Sequence, residues 1–297
     1  MSRGIDQLSQ QLIITKELDP TARRRIYRGV EAGTHMPLIA GVIIGREFFE
    51  SLAPWEQYRA RCLAVGASGV RILAGPSAAA VWNLWSVASK SDPVEYYLDQ
   101  CQKDYPEVGV RLPGRISTER WSQGKFAKAT TIPVTALDLL CNQSFESCFM
   151  AVCCALHHDL CSMEELSEVA QESPEFQWVL RLVDGAVESA AEAYFLAQIR
   201  KDDDIKVIPQ VTVVDAHGKL RRPDFQIRNT NIFIEISGVG KFGETEDEQQ
   251  FRVAEAAERL DALVAAGYVV WGFSAKQVFS GAAYWRLKQK VSGSINL

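Results

Sequence analysis

Between Asp224 and Ser237 apolar and polar residues alternate with a period of two. Phe225, Ile227, Ile232, Ile234 and Ile236 fall on one face. Asp224, Gln226, Arg228, Asn231, Glu235 and Ser237 fall on the other, with Phe233 the one apolar exception. Asn229-Thr230 interrupts the run where a two-residue turn would sit, so the segment reads as a β-hairpin. Centring the turn there sets Asp224 directly opposite Glu235, with Cβ atoms roughly 4.5–5.5 Å apart. Upstream, the pattern predicts a helix from about residue 176 to Arg200 and a strand at 211–214 with a turn through Asp215, Ala216, His217 and Gly218. Downstream, residues 245–266 carry the helical stripe Val253, Ala257, Leu260, Val264. Gly267 closes that helix, and 268–273 reads as a buried strand. The order is helix, three strands, helix, strand.

The first part of the chain has a different pattern. Asp19-Pro20 places an N-cap before a proline at the first helical position. The helix it opens carries Arg23, Arg24, Arg25 and Arg28 and ends within 29–33. A short strand pair with glycines at its bends follows at 38–45, then helices at 55–65 and from Pro76. Helix, basic helix, β-ribbon is the order of a winged helix-turn-helix. The middle begins at Ser91-Asp92-Pro93, with strands at 94–98 and 108–112 and a Gly/Ser/Lys-rich stretch at 121–125. Helices follow at 134–160 and 162–172, the second opened by a capping box between Ser162 and Glu165. The fold class is α/β, more fully a multidomain α+β chain. Residues 1–90 form a winged-helix-like DNA-binding domain, 91–175 a middle α/β connecting domain, and 176–297 an αβββαβ domain.

Composition narrows the function classes. The 297 residues carry a net charge of -5, so the whole molecule does not cling to nucleic acid and any such contact needs a local patch. The arginines of the basic helix supply one. Arg24 and Arg28 are neighbours one turn apart, an unfavourable pair unless an anion compensates, so phosphate contact is the better reading. No run of about 18 apolar residues occurs and the N-terminus lacks a signal-peptide core, which places the protein in the cytoplasm with no membrane partner. Five of the seven cysteines lie between Cys141 and Cys161. They are interleaved with apolar residues and show no Cys-x2-Cys pair, which is the spacing of a helix using Cys as a small hydrophobe. His35, His157, His158 and His217 have no triad partners and read as structural or surface residues. Gly238-Val239-Gly240-Lys241 lacks the spacing of a phosphate loop.

The chemistry centres on the hairpin acids. Two carboxylates opposite one another repel, and a divalent cation between them reverses the sign of that interaction. A third acid, Glu192, shares a helical face with Ser189, Leu196 and Ile199. Carboxylates that hold Mg²⁺ beside a phosphate are the elements of metal-assisted phosphodiester hydrolysis.

The αβββαβ order, with Pro223-Asp224 and Glu235 eleven positions after the Asp, is similar to the restriction-endonuclease-like nucleases and matches part of their Pro-Asp…(Asp/Glu)-x-Lys signature. Residues 189–278 resemble the DUF559 group of small Vsr-like endonuclease domains. The matching positions are Ser189 and Glu192, Gln210, His217-Gly218, Asp224-Phe225, Glu235 and Gly238, Arg259, Asp261 and Leu263, and Gly267-Tyr268. Earlier stretches (25–33, Gly41-Val42, Ser77-Ala78-Ala79 and 135–139) resemble AbiEi-antitoxin-like proteins that carry such a domain behind a winged helix. The resemblance implies Mg²⁺ or Mn²⁺ held by Asp224 and Glu235, with Glu192 holding a second ion or a metal-bound water. It implies Gln210 and Lys241 as the residues orienting water or phosphate, DNA as partner of the arginine helix, and a toxin protein as a further partner. Three positions depart from the pattern: Ser237 replaces a charged residue, the signature Lys is absent there with Lys241 four residues on, and Gly272 stands where an Arg is common. Two readings follow: a metal-dependent endonuclease, or an antitoxin-like transcriptional regulator whose nuclease-like domain is weak or inactive.

Overall fold

The chain opens with α1 (Ile5–Gln10), β1 (Ile13–Ile14) and a 3-10 turn (Thr15–Glu17) before the basic helix α2 (Pro20–Glu31). The Asp19 carboxylate caps α2 by accepting from the N–H groups of Thr21 (2.8 Å) and Ala22 (2.9 Å). The structure is a computed structural model and describes residues 4–67, 69–98, 109–202, 204–237 and 246–294. It is a mixed α/β protein with several sheets. Contacts divide it into two compact units, Met1–Ala151 with Leu160–Gln177, and Val152–Asp159 with Trp178–Leu297.

In the first unit, β2 (His35–Ile39) and β3 (Val42–Gly45) form the hairpin expected after α2, and β1 completes a sheet of order β1-β3-β2. Gly41 takes the left-handed conformation (φ 85°) that the bend requires. Next come α3 (Arg46–Glu50), α4 (Pro54–Gly66), β4 (Arg71–Leu73) and α5 (Gly75–Val81). They are followed by β5 (Glu95–Leu98), β6 (Val110–Arg111), β7 (Trp121–Gln123), β8 (Lys128–Thr130), α6 (Ile132–Asn142), α7 (Phe145–His157), α8 (Met163–Ala170) and α9 (Pro174–Leu182). Strands β4 to β8 make one sheet of order β6-β5-β4-β8-β7.

That sheet spans the boundary expected at residue 90, and α4 explains why. Ala60 and Leu63 of α4 pack with Leu8 and Leu52, while Tyr58, Cys62 and Val65 pack with Leu73, Val94, Tyr96 and Ala129. A helix apolar on both sides must be covered on both, so segments 1–90 and 91–175 share a core. Residues 121–123, at the start of the Gly/Ser/Lys-rich stretch, form the edge strand β7. The expected helix 134–160 is two helices, broken where Ser144 Oγ accepts from Ser147 N–H (3.1 Å). Ser162 and Glu165 form their capping box (2.7 and 3.1 Å). Cys148, Cys153 and Cys154 are buried in α7, where burial pushes the Cys153 thiol up to about 12.

The stretch Ser77-Ala78-Ala79 lies inside the first unit. Ser77 Oγ sits 2.8 Å from Tyr58 Oη and accepts from Glu95 N–H at 2.8 Å, which pins α5 to α4 and β5. Asp138 of α6 accepts from the N–H of Gly75, but its Oδ2 is buried and meets no donor among the described residues. Burial, with Glu95 as a nearby like charge, outweighs that bond and Arg120, and raises its pKa from 3.8 to about 6.

The second unit contains α10 (Ala190–Asp202), β9 (Val207–Pro209), β10 (Val213–Val214), β11 (Leu220–Arg221), β12 (Phe225–Ile227) and β13 (Ile232–Ser237). It continues through α11 (Glu246–Ala265), β14 (Val269–Ser274), α12 (Ala275–Phe279) and α13 (Ala282–Ser294). The main sheet has order β14-β13-β12-β9, antiparallel except for the parallel pair β13 and β14. Phe195 of α10 is fully buried against Phe225 (centroids 5.8 Å apart) and Phe273 (5.7 Å). Helix, three strands, helix, strand is therefore the order around this sheet.

Four details differ from the expected pattern. The helix predicted from 176 to Arg200 is split into α9 and α10, and Arg200 reaches back to the Leu182 carbonyl and to Asp184 (3.1 Å). The strand at 211–214 lies outside the main sheet, because Gln210 takes φ 55° and turns the chain into a separate β10-β11 ribbon; β9 is the sheet strand. Asp202 and Asp204 are exposed, as expected of a solvated run, but Asp202 ends α10 and both pair with Lys288 of α13 (2.5 and 2.9 Å); Asp203 is outside the described residues. The α11 stripe is rotated: Leu260 and Val264 are 43% and 55% exposed, and Ala262 and Leu263 are buried instead. Ala257 is also exposed, and the side chain of Val253 is outside what is described. No helix among the described residues is long and apolar enough to cross a membrane.

Asp138 provides a test of the first unit. Its folded pKa is raised, so its ionisation costs stability progressively as pH climbs from about 4 past 6. Asp138→Asn is expected to raise the unfolding free energy by roughly 2–3 kcal/mol at pH 7 and by almost nothing at pH 4. Urea titrations at the two pH values measure this.

Candidate functional site

Pro223 and Asp224 lead into β12, and the hairpin register is the one the alternation predicts. Phe225 pairs with Ile234 and Gln226 with Phe233, so one step further Asp224 stands opposite Glu235. Thr230 N–H closes the turn on the Ile227 carbonyl (3.2 Å), with Asn229 at φ 62°.

Asp224 is 8% exposed, and its role extends beyond facing Glu235. Its Oδ2 accepts from Ile236 N–H at 2.5 Å, and its carbonyl accepts from Gln210 N–H at 2.9 Å. Glu235 is half-buried on β13, where Arg259 Nη2 of α11 donates to its Oε1 at 2.7 Å. The same Nη2 lies 3.1 Å from the Arg222 carbonyl, and Arg222 forms an ion pair with Glu188.

Glu192 is 4% exposed at the start of α10. Ser189 precedes the helix as its cap, with its Oγ accepting from Glu192 N–H (3.2 Å) and donating to Glu192 Oε1 (2.6 Å). Glu192 Oε2 accepts from Glu188 N–H and from Gln210 Nε2, both at 2.9 Å. Ser189-x-x-Glu192 is thus a helix start that also fixes a buried acid. The contacts form a closed ring: Glu192 to Gln210, Gln210 to Asp224, across the hairpin to Glu235, through Arg259 to Arg222, and back through Glu188.

The expected residues Glu192, Gln210, Asp224 and Glu235 therefore meet at one end of the sheet. Lys241 lies outside the described residues. Ser237, two positions beyond Glu235, is exposed and donates to the Phe273 carbonyl at 3.4 Å. Gly272 is the in-register neighbour of Glu235 on β14, and a Cβ there would meet nothing within 4 Å. Arg259, Arg222 and Glu188 received no role from sequence reasoning. Arg259 was detectable in principle: it shares a helical face with Ala262, Leu263 and Ala266, and that face, not the Leu260 stripe, is turned to the sheet. A neighbouring acid, Asp215, serves its own turn. Burial alone would raise its pKa, but Arg221 (2.7 Å) and the N–H groups of Lys219 and His217 outweigh it and hold it at about 2.

Among the described residues no group of three or more His, Cys, Asp or Glu side chains is arranged to hold a metal. The donor chemistry still suits a hard dication, since Mg²⁺ takes one or two carboxylates and keeps several waters. Asp224 and Glu235 supply that pair. Both oxygens of Glu192 accept hydrogen bonds, from Ser189 Oγ, Glu188 N–H and Gln210 Nε2, so its carboxylate is held in place beside the pair.

On α2, Arg24, Arg25 and Arg28 are exposed beside Tyr27, and neither Arg24 nor Arg28 makes a hydrogen bond or ion pair among the described residues. Arg23 is different. Its Nε and Nη2 donate to the carbonyls of Thr15 (2.9 Å) and Leu18 (3.2 Å), so it clasps the preceding 3-10 turn instead of extending from the helix face.

No family model, curated protein or solved structure matches the chain.

Ser189→Ala removes both the cap of α10 and a donor to buried Glu192. A loss of about 1–2 kcal/mol is expected by chemical denaturation, with Ser189→Thr close to wild type.

Proposed function

We propose that this protein is a cytoplasmic, DNA-binding, metal-dependent endonuclease. The N-terminal part would be a winged helix that positions DNA, and the C-terminal unit a restriction-endonuclease-like domain that hydrolyses a phosphodiester. The observation that carries the reading is the convergence of Glu192, Gln210, Asp224 and Glu235, from four separate elements, on one end of a mixed sheet. The order of elements around that sheet, and the α1-β1-α2-β2-β3 order with exposed arginines on α2, support the two domain assignments.

Mg²⁺ or Mn²⁺, held by Asp224 and Glu235, would polarise a phosphate oxygen and activate a water. The chain's own residues do the rest. Ile236 N–H keeps the Asp224 carboxylate in place. Glu192 acts at one remove, orienting Gln210 through its amide. Gln210 and Lys241 align water or phosphate, and Arg222 and Arg259 contribute positive charge at the rim. Arg24, Arg25 and Arg28 contact phosphates and set register, not sequence.

A second reading is favoured by two observations, the uncharged Ser237 and the engagement of Glu235 by Arg259. It is an antitoxin-like transcriptional regulator whose nuclease-like unit binds a toxin partner without cutting.

Incubation of the protein with plasmid DNA, single-stranded DNA and RNA in Mg²⁺ or Mn²⁺ separates the two. The enzyme reading expects cleavage of at least one substrate that chelation abolishes. Asp224→Asn, which keeps an oxygen acceptor for Ile236 N–H, should lower it by about a hundredfold or more, a loss of roughly 2.7 kcal/mol of transition-state stabilisation. Wild-type protein that cuts none of the three sinks this reading.

DNA binding is tested separately. Replacing Arg24 and Arg28 with Ala should weaken affinity across sequences and reduce the slope of log K against log salt by about 2. An unchanged slope removes α2 from the interface.

A further inference from the structure

The pair Asp224 and Glu235 already has a cation, and it belongs to the chain. Arg259 brings a guanidinium to 2.7 Å from Glu235 Oε1, on the carboxylate that the hairpin register sets opposite Asp224. Its anchorage there is incomplete. Nη2 also reaches the Arg222 carbonyl, but Nε is buried and has no acceptor among the described residues. A guanidinium normally engages a carboxylate through two parallel donors, and this one does so through a single nitrogen. No side chain stands between Glu235 and its neighbour on β14, because that neighbour is Gly272 with open space where a Cβ would be.

We infer that Arg259 is a built-in competitor for the divalent cation and sets the affinity of the Asp224/Glu235 pair for it. This rests on the metal-binding reading proposed above, and it concerns the chain's own charge rather than the reaction. With Arg259 in place, one of the two paired acids, Glu235, already has a counter-charge without metal. A dication that takes Glu235 must displace the guanidinium, whose unsatisfied Nε makes it a replaceable partner. Displaced, Arg259 remains beside the site with donors available for an anionic oxygen.

Direct Mn²⁺ titration of the full-length protein, by calorimetry and by paramagnetic resonance of free Mn²⁺, tests this without reference to cleavage. Arg259→Gln should bind Mn²⁺ at least about tenfold more tightly than wild type, which corresponds to about 1.4 kcal/mol. Asp224→Asn added to Arg259→Gln should abolish the gain. Arg259→Lys, which keeps the charge, should stay near wild type. Gly272→Arg tests the opposite direction: the open position accepts a side chain, and a second cation beside Glu235 should weaken Mn²⁺ binding by a similar factor. Because Gly272→Arg leaves the native ion pair intact, it keeps the test decisive if Arg259→Gln folds poorly. A wild type that binds no Mn²⁺ alongside an Arg259→Gln variant that does is the strongest support. Equal affinities in wild type, Arg259→Gln and Gly272→Arg overturn the inference. The outcome is independent of the nuclease assay, so a protein that cuts nothing but shows these shifts defeats the enzyme reading alone.

Discussion

Asp224 ties three strands together, and the candidate site depends on that tie. Its carbonyl receives Gln210 at the end of β9, its own chain continues into β12, and its carboxylate receives Ile236 of β13. A side chain accepting a backbone N–H from the neighbouring strand fixes register as firmly as a ladder bond, and adds charge assistance. Gln210 is held in a left-handed conformation in this arrangement, which is what aims its amide at Glu192. The separate β10-β11 ribbon follows from the same turn. One residue, through its carbonyl on one side and its carboxylate on the other, thus joins its two neighbouring strands before any chemistry is considered.

The first unit is organised by shared apolar surface rather than by a polar tie. Helix α4 has a buried face toward the N-terminal elements and another toward the five-stranded sheet, so neither part has a complete core without it. Tyr58 and Ser77 then fix the angle at which α5 leaves the sheet. Basic helix α2 stands apart from this economy, burying none of its residues and held by Asp19 at one end and Arg23 along its side. A helix attached by its end and flank keeps its outer face available for a ligand.

How much of this was legible in the sequence varied with the local signal. The hairpin was read to the residue, because a period of two combined with an Asn-containing turn admits one register, and a slip would reverse every side chain. Asp19-Pro20 and Ser162-x-x-Glu165 were equally plain, since caps are local chemistry. The face of α11 was not. The helix is alanine-rich, so Leu260 with Val264 and Ala262 with Leu263 offer competing stripes, and only the sheet carrying Phe233 and Glu235 decides between them. The core shared across residue 90 was hidden for a related reason: α4 appears in sequence as an ordinary helix, and its two-sided burial depends on strands on both sides of that position. Glu192 was visible as an acid on a partly apolar helical face and Gln210 only through resemblance, whereas the hydrogen bonds joining them, and Arg259's hold on Glu235, depend on tertiary geometry.

Asp224 carries a double duty. A residue that staples strands is constrained by folding whether or not it takes part in chemistry, so the presence of Asp224 is not by itself a sign of activity. Ser237 is the opposite case. Exposed at the strand end, with a single long hydrogen bond to Phe273, it carries little architectural burden. Substitution at 237 therefore disturbs the sheet far less than substitution at 224, so the charge near Glu235 can be altered there while the hairpin keeps its register.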